Sequence, residues 1–121
     1  MTINSDWFIA LATEISNCHP RLYVKKERQS DEDHLHHYLM WRYHMDDGDE
    51  QIGHQLEGYG LLATMYPHPL HGLLDFIHDV MEFIKNKEVN NAYEVGMRLI
   101  RNAGLPFCTS ETSRNEWEKL F

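Results

Sequence analysis

The chain has 121 residues, 42% of them hydrophobic, and its 19 acidic against 11 basic side chains give a formal net charge of −8. This length and apolar content predict one folded domain over residues 1–121 and exclude intrinsic disorder. The acidic excess disfavours direct binding to nucleic-acid phosphates, and no apolar run approaches the roughly 18 residues that span a bilayer.

The first predicted element is a helix over residues 6–18. Ser5 is the expected N-cap, and Pro20 ends the helix because the residue before a proline disfavours the α conformation. An apolar stripe recurs at helical spacing on one face. It consists of Trp7, Leu11, Ile15 and Cys18.

Two strands are predicted next, over 21–28 and 34–45. The second, HLHHYLMWRYHM, has a period of two residues, which is typical of a half-buried strand rather than a helix. Its apolar side consists of Leu35, His37, Leu39, Trp41, Tyr43 and Met45. Its polar side consists of His34, His36, Tyr38, Met40, Arg42 and His44. We expect the apolar side to face the core.

The segment 46–49, Asp-Asp-Gly-Asp, is a strong hairpin signal. A third strand is predicted within 52–66, because Gly53, Gly58 and Gly60 would each cost about 1 kcal/mol in a helix interior. The sequence Gly-Tyr-Gly at 58–60 predicts a bulge or a close approach of two backbones.

The C-terminal half is predicted to be helical over 70–86, from 89 to a stop at Gly104 and Pro106, and over 113–120. Strands followed by helices predict the α+β class. The expected architecture is an N-terminal helix, a three-stranded antiparallel meander, and two or three C-terminal helices packed on the sheet. An all-α bundle is the alternative.

The polar side of the strand over 34–45 is the candidate binding surface. Tyr, Met and Arg are enriched in interface cores, and an acidic turn at the end of the strand would steer a basic partner. Residues 31–50 carry −6 of the net −8. The predicted partner-binding residues are His36, Tyr38, Met40, Arg42, His44, Asp46, Asp47, Asp49 and Glu50. The alternative is that Tyr38 and Met40 pack under the C-terminal helices, with both sheet faces covered.

A metal site is a weaker possibility. His34 and His36 share a strand face and have the chemistry of zinc ligands, but nothing specifies a third ligand, for which His19 and His54 are candidates. A helical stripe of His71, Asp75, His78 and Glu82 is expected to be a solvated polar face. No cofactor is predicted.

Catalysis has little support, since the chain has no nucleophile elbow and no phosphate-binding glycine loop. Cys18 is expected in the core. With Cys108 it is expected to be a reduced thiol, and the absence of a basic, apolar leader predicts a cytoplasmic protein.

The sequence therefore predicts a non-enzymatic, acidic module that neutralises or inhibits a partner protein with a basic surface or a nucleic-acid-binding cleft. Immunity proteins and anti-defence proteins that mimic nucleic acid are the functional analogies. The alternatives are a histidine-dependent metal-binding protein or small metal-dependent hydrolase, and a structural component that forms homodimers or larger homo-oligomers.

Overall fold

A computed structural model describes residues 3–28, 35–43, 48–65 and 70–103. Helix α1 (Ser5–Ser16) precedes three strands, β1 (Leu22–Arg28), β2 (Leu35–Arg42) and β3 (Asp49–Ile52). The helical half consists of α2 (Leu56–Thr64), α3 (Leu70–Phe76), a π-helical segment (Ile77–Met81), α4 (Glu82–Asn86) and α5 (Asn90–Ala103). The predicted α+β architecture is confirmed.

The three strands form an antiparallel sheet in the order β1-β2-β3. Strand β1 pairs along most of β2, from Leu22 opposite Trp41 to Arg28 opposite Leu35. Strand β3 is shorter and pairs only with the residues of β2 from Leu39 to Arg42. Among the described strands, none pairs with the first half of β2 on the side away from β1.

The core lies on the predicted apolar side of β2. Leu39 and Trp41 are buried there beside Leu22 of β1 and Ile52 of β3. Helices α1 and α2 make the main helical contacts with the sheet, and α5 packs mainly on α1. Leu35 is an exception, 43% exposed near the end of the sheet. Met45 lies outside the described residues.

Helix α1 begins one residue earlier than predicted. The N-cap is Asn4, whose side-chain oxygen accepts a hydrogen bond of 3.1 Å from the backbone N–H of Trp7, so the assignment of Ser5 as cap is wrong. The helix buries an arc wider than the predicted stripe because α2, α5 and the sheet all contact it. Trp7 and Cys18 are half-buried against the core.

The prediction of a strand within 52–66 is wrong beyond Ile52, since residues 56–64 form helix α2. Gly60 is explained by helix packing. A Cβ atom on Gly60 would lie 2.3 Å from Cα of Ser5, so the two helix backbones meet at this point. The close approach predicted for 58–60 is confirmed at Gly60, and tertiary packing outweighs the propensity cost of glycine.

The helices predicted over 70–86 and from 89 are present, the first with a π-helical turn inside it. Helix α4 ends in a tight turn in which Val89 N–H donates to Ile84 O at 3.2 Å and Glu88 N–H to Lys85 O at 3.0 Å. Glu88 has φ = 60°, the left-handed conformation that glycine usually supplies at this position. Gly104, Pro106, Cys108 and the predicted helix over 113–120 lie outside the described residues.

Among the described residues, no helix combines the length and the apolar character needed to cross a membrane.

Candidate functional site

The side of the sheet opposite Leu39 and Trp41, here called the second face, is the candidate site. Alternation along each strand and the cross-strand register assign its residues. Strand β1 contributes Tyr23, Lys25 and Glu27, β2 contributes His36, Tyr38, Met40 and Arg42, and β3 contributes Asp49 and Gln51. Apart from Met40, each of these side chains is at least partly exposed.

Tyr23, Arg42 and Asp49 form a connected group at one end of this face. The guanidinium carbon of Arg42 lies 4.7 Å from the centroid of the Tyr23 ring. The Tyr23 hydroxyl donates a hydrogen bond to Asp49 Oδ2, and Arg42 and Asp49 are directly paired in the register. The hydrogen bond to Asp49 is the main cause that raises the pKa of Tyr23. The three side chains therefore restrain one another.

A second aromatic and cation pair lies further along the face. The ammonium of Lys25 is 5.2 Å from the centroid of the Tyr38 ring, and these two residues are direct cross-strand neighbours. Lys25 also forms an ion pair of 3.2 Å with Glu27. The face therefore presents two tyrosine rings, each with a cation over it.

Met40 departs from the expectation that the polar side of β2 is exposed throughout, since it is only 6% exposed. It lies on the central strand, and Tyr23 and Gln51, its directly paired neighbours, stand on either side of it on the same face. It is nevertheless separate from the main core cluster. Met40 is thus the floor of the second face rather than a projecting contact.

The predicted acidic residues do not all belong to this face. Asp49 does, but Glu50 is opposite Trp41 and lies on the core side, where its Oε2 accepts a hydrogen bond of 2.8 Å from the Tyr43 hydroxyl. His44, Asp46 and Asp47 lie outside the described residues. On the described face, Lys25 and Arg42 balance Glu27 and Asp49 in number, so the strand surface itself carries no excess of acidic side chains.

Three of the predicted metal ligands, His19, His36 and His54, are among the described residues, and each of the three has a different neighbour. The His36 side chain contacts that of Gln55, and His34 lies outside the described residues. His19 stacks on Trp41 with ring centroids 5.3 Å apart, whereas His54 lies 3.6 Å from Asp79. Within the described ranges no group of three or more His, Cys, Asp or Glu side chains is placed to hold a metal ion.

The polar stripe predicted for the helix over 70–86 is exposed in the structure. It comprises His71, Asp75, His78 and Glu82. Cys18 is a free thiol whose Sγ donates to Glu14 O at 3.4 Å within the turn that ends α1.

The sequence did not identify Tyr23, Lys25, Glu27 or Gln51 as members of the site. Residues 22–28 read LYVKKER. Apolar and polar residues alternate only as far as Val24, because the last four residues of the strand are all charged. The two-residue period indicates that Tyr23 and Leu22 point to different faces of the sheet. Only the strand register shows that Tyr23 lies beside Met40 and within reach of Arg42.

Comparison with protein families, with curated proteins and with solved structures finds no match for this chain.

Proposed function

We propose that this chain is a protein-binding module that docks through the second face and neutralises a partner with a basic surface. The observation that carries the proposal is the Tyr23–Arg42–Asp49 group. Tyrosine and arginine dominate the energetic centres of protein interfaces, and here both side chains are held in place before any partner arrives.

Pre-organisation matters because a side chain ordered on binding costs about 0.5–1.5 kcal/mol of conformational entropy. Arg42 and Tyr23 restrain each other through a cation–π contact, and Asp49 accepts a hydrogen bond from the Tyr23 hydroxyl. Lys25 restrains Tyr38 in the same way. The second face thus presents aromatic and cationic side chains that are not part of the hydrophobic core cluster.

The charge distribution indicates that the second face makes the contacts with the partner and that the acidic side chains outside it steer the encounter. The described face carries equal numbers of acidic and basic side chains, so its contacts act through ring surface, hydrogen bonds and shape. The acidic excess of residues 31–50 lies outside this balanced face: Glu50 is exposed on the other side of the sheet, and Asp31, Glu32, Asp33, Asp46 and Asp47 belong to the segments that join the strands. Charge at the rim of an interface mainly raises the association rate, and added salt screens it.

The test is affinity capture from the cells that produce this chain, with three immobilised forms side by side: the wild type, the double variant Tyr38→Ala/Arg42→Ala, and Leu61→Ala as a matched control. Leu61 is 61% exposed on α2, away from the sheet surface. We expect a partner that the wild type and the control retain and that the double variant loses by at least about tenfold in affinity, roughly 1.4 kcal/mol.

Equal retention by all three forms would reject the second face as the docking surface. Circular dichroism of the double variant separates binding from folding. If that variant unfolds, the second face is part of the core and the assignment of the surface is wrong. With the purified partner, added salt is expected to slow association more than it speeds dissociation.

A further inference from the structure

Three aromatic rings surround the ammonium group of Lys87 on the core side of the sheet, near the end of the β2–β3 hairpin. Its Nζ lies 5.7 Å from the centroid of Trp41, 5.3 Å from that of Tyr43 and 5.4 Å from that of Phe83. We call Trp41, Tyr43 and Phe83 the aromatic cage. All three distances fall within the range of about 6 Å over which a cation is attracted to a ring face.

The cage is built from segments far apart in sequence and is held in shape without Lys87. Trp41 and Phe83 meet edge to face, with centroids 5.9 Å apart and planes at 70°. His19 stacks on Trp41. The Tyr43 hydroxyl donates to Glu50 at 2.8 Å, which fixes the third ring and places a carboxylate beside the cage.

The hydrogen bonding of the cage suits an ammonium group without N–H donors better than a lysine. A lysine ammonium has three donors and is strongly hydrated. The hydrogen bond described for Lys87 runs to the Tyr43 hydroxyl at 3.4 Å, a long contact. The rings offer π faces instead of acceptors, and such faces are the usual recognition surface for quaternary ammonium and methylated lysine.

Lys87 is also placed so that it can leave. It is exposed and is the C-terminal cap of α4, at the tight turn before α5. The backbone hydrogen bonds of that turn do not involve its side chain. Its ammonium group can therefore swing into solvent without disturbing the helix end.

We infer that the aromatic cage is a binding site for an alkylated ammonium group, with Lys87 as its resident, competing occupant. A ligand must displace Lys87, so its apparent affinity is reduced by the fraction of molecules in which the cage is empty. The site lies on the opposite side of the sheet from the second face, and the inference does not depend on the proposed function.

The experiment titrates tetramethylammonium into the wild type and into Lys87→Ala, following the indole N–H signal of Trp41 by NMR. We expect saturable shifts in both proteins, with an apparent Kd at least about tenfold lower for Lys87→Ala, which corresponds to a cage empty in one wild-type molecule in ten or fewer. Lys87→Gln is the second variant; it removes the charge and keeps most of the length of the side chain. Neopentane-shaped tert-butanol is the neutral ligand of similar size.

Phe83→Leu supplies the matched loss of one ring with the apolar volume largely retained. It is expected to weaken tetramethylammonium binding in the Lys87→Ala background by at least about fivefold, in line with the roughly 1 kcal/mol that one exposed cation–ring contact contributes. Choline and Nα-acetyl-Nε-trimethyl-lysine amide then compare a small quaternary ammonium alcohol with a methylated peptide side chain, and the tighter of the two identifies the source of the group.

Three results would overturn the inference. The first is no saturable shift of the Trp41 signal in either folded Lys87 variant. The second is equal affinity for tert-butanol and tetramethylammonium, which would make the cage an ordinary apolar recess. The third is unchanged binding after Phe83→Leu.

Discussion

The backbone N–H of His37 donates to both carboxylate oxygens of Glu57, at 2.9 and 3.0 Å, and the His37 imidazole lies 2.6 Å from the same carboxylate. Strand β3 is too short to pair with this part of β2, so the side chain of Glu57, from the first turn of α2, takes the place of a strand. The Glu57 carboxylate thereby accepts the hydrogen bond of a backbone N–H that would otherwise be unpaired at the edge of the sheet.

Removing this carboxylate is expected to destabilise the fold. Glu57→Ala leaves the partly buried N–H of His37 without its acceptor, and an unsatisfied donor of this kind costs about 1–3 kcal/mol. Urea unfolding followed by circular dichroism measures the loss. Glu94→Ala, an exposed carboxylate on α5, is the control and should change stability by less than about 0.5 kcal/mol. Equal effects of the two substitutions would contradict the edge-capping role.

Acidic pH provides an independent test of the same contact. Burial alone would raise the pKa of Glu57, but hydrogen bonds from the His37 backbone, the His37 ring and Gln55 outweigh it and lower the pKa below its ordinary 4.5. A carboxyl with a lowered folded-state pKa stabilises the fold above the unfolded-state value and loses that contribution as the pH falls through the folded-state value. The stability difference between the wild type and Glu57→Gln should therefore shrink when the pH is lowered from 5 toward 3. A constant difference would contradict this.

Two glycines of α2 should respond to alanine in opposite directions. Gly60→Ala places a methyl group 2.3 Å from Cα of Ser5 and must push α1 and α2 apart, which we expect to cost about 1–3 kcal/mol. Gly58 has no atom within 4 Å of the same position, so Gly58→Ala should stabilise the helix by about 0.5–1 kcal/mol. Thermal unfolding of the two variants and the wild type measures both effects. A Gly60→Ala variant as stable as the wild type would contradict the close packing of α1 against α2.

Glu88→Gly should stabilise the chain. Glu88 holds φ = 60° in the turn between α4 and α5, and a side chain in the left-handed region costs roughly 1–2 kcal/mol, part of which glycine recovers. The expected gain is about 1 kcal/mol. Lys85→Gly, in a right-handed helical position of α4, is the control and should lose a similar amount. A loss at both positions would show that the Glu88 side chain contributes contacts that outweigh the strain.

The sequence predicted the α+β class and the buried side of β2, because alternation over 35–43 is a direct record of which residues face the core. The sequence did not predict the position of β3 or the helical structure of α2. The propensity cost of glycine favoured a strand over 52–66, whereas the packing of Gly60 against Ser5 depends on a helix more than fifty residues away along the chain.

The candidate site was predicted in part. Tyr38 and Arg42 were found from the period of β2, but Tyr23 enters only through the strand register, and Met40 is more buried than its alternating pattern indicates. The aromatic cage had no sequence signal. Trp41 and Tyr43 were assigned to the core, and the approach of Phe83 and Lys87 depends on how α4 packs against the sheet.

Docking through the second face is tested most directly by NMR of the chain labelled at its methionine methyl groups, with and without the captured partner. Met40 forms the floor of the second face, Met65 is exposed at the end of α2, and Met97 lies on α5. On binding, we expect the Met40 signal to shift while those of Met65 and Met97 stay in place. A shift of Met65 or Met97 with no change at Met40 would contradict it.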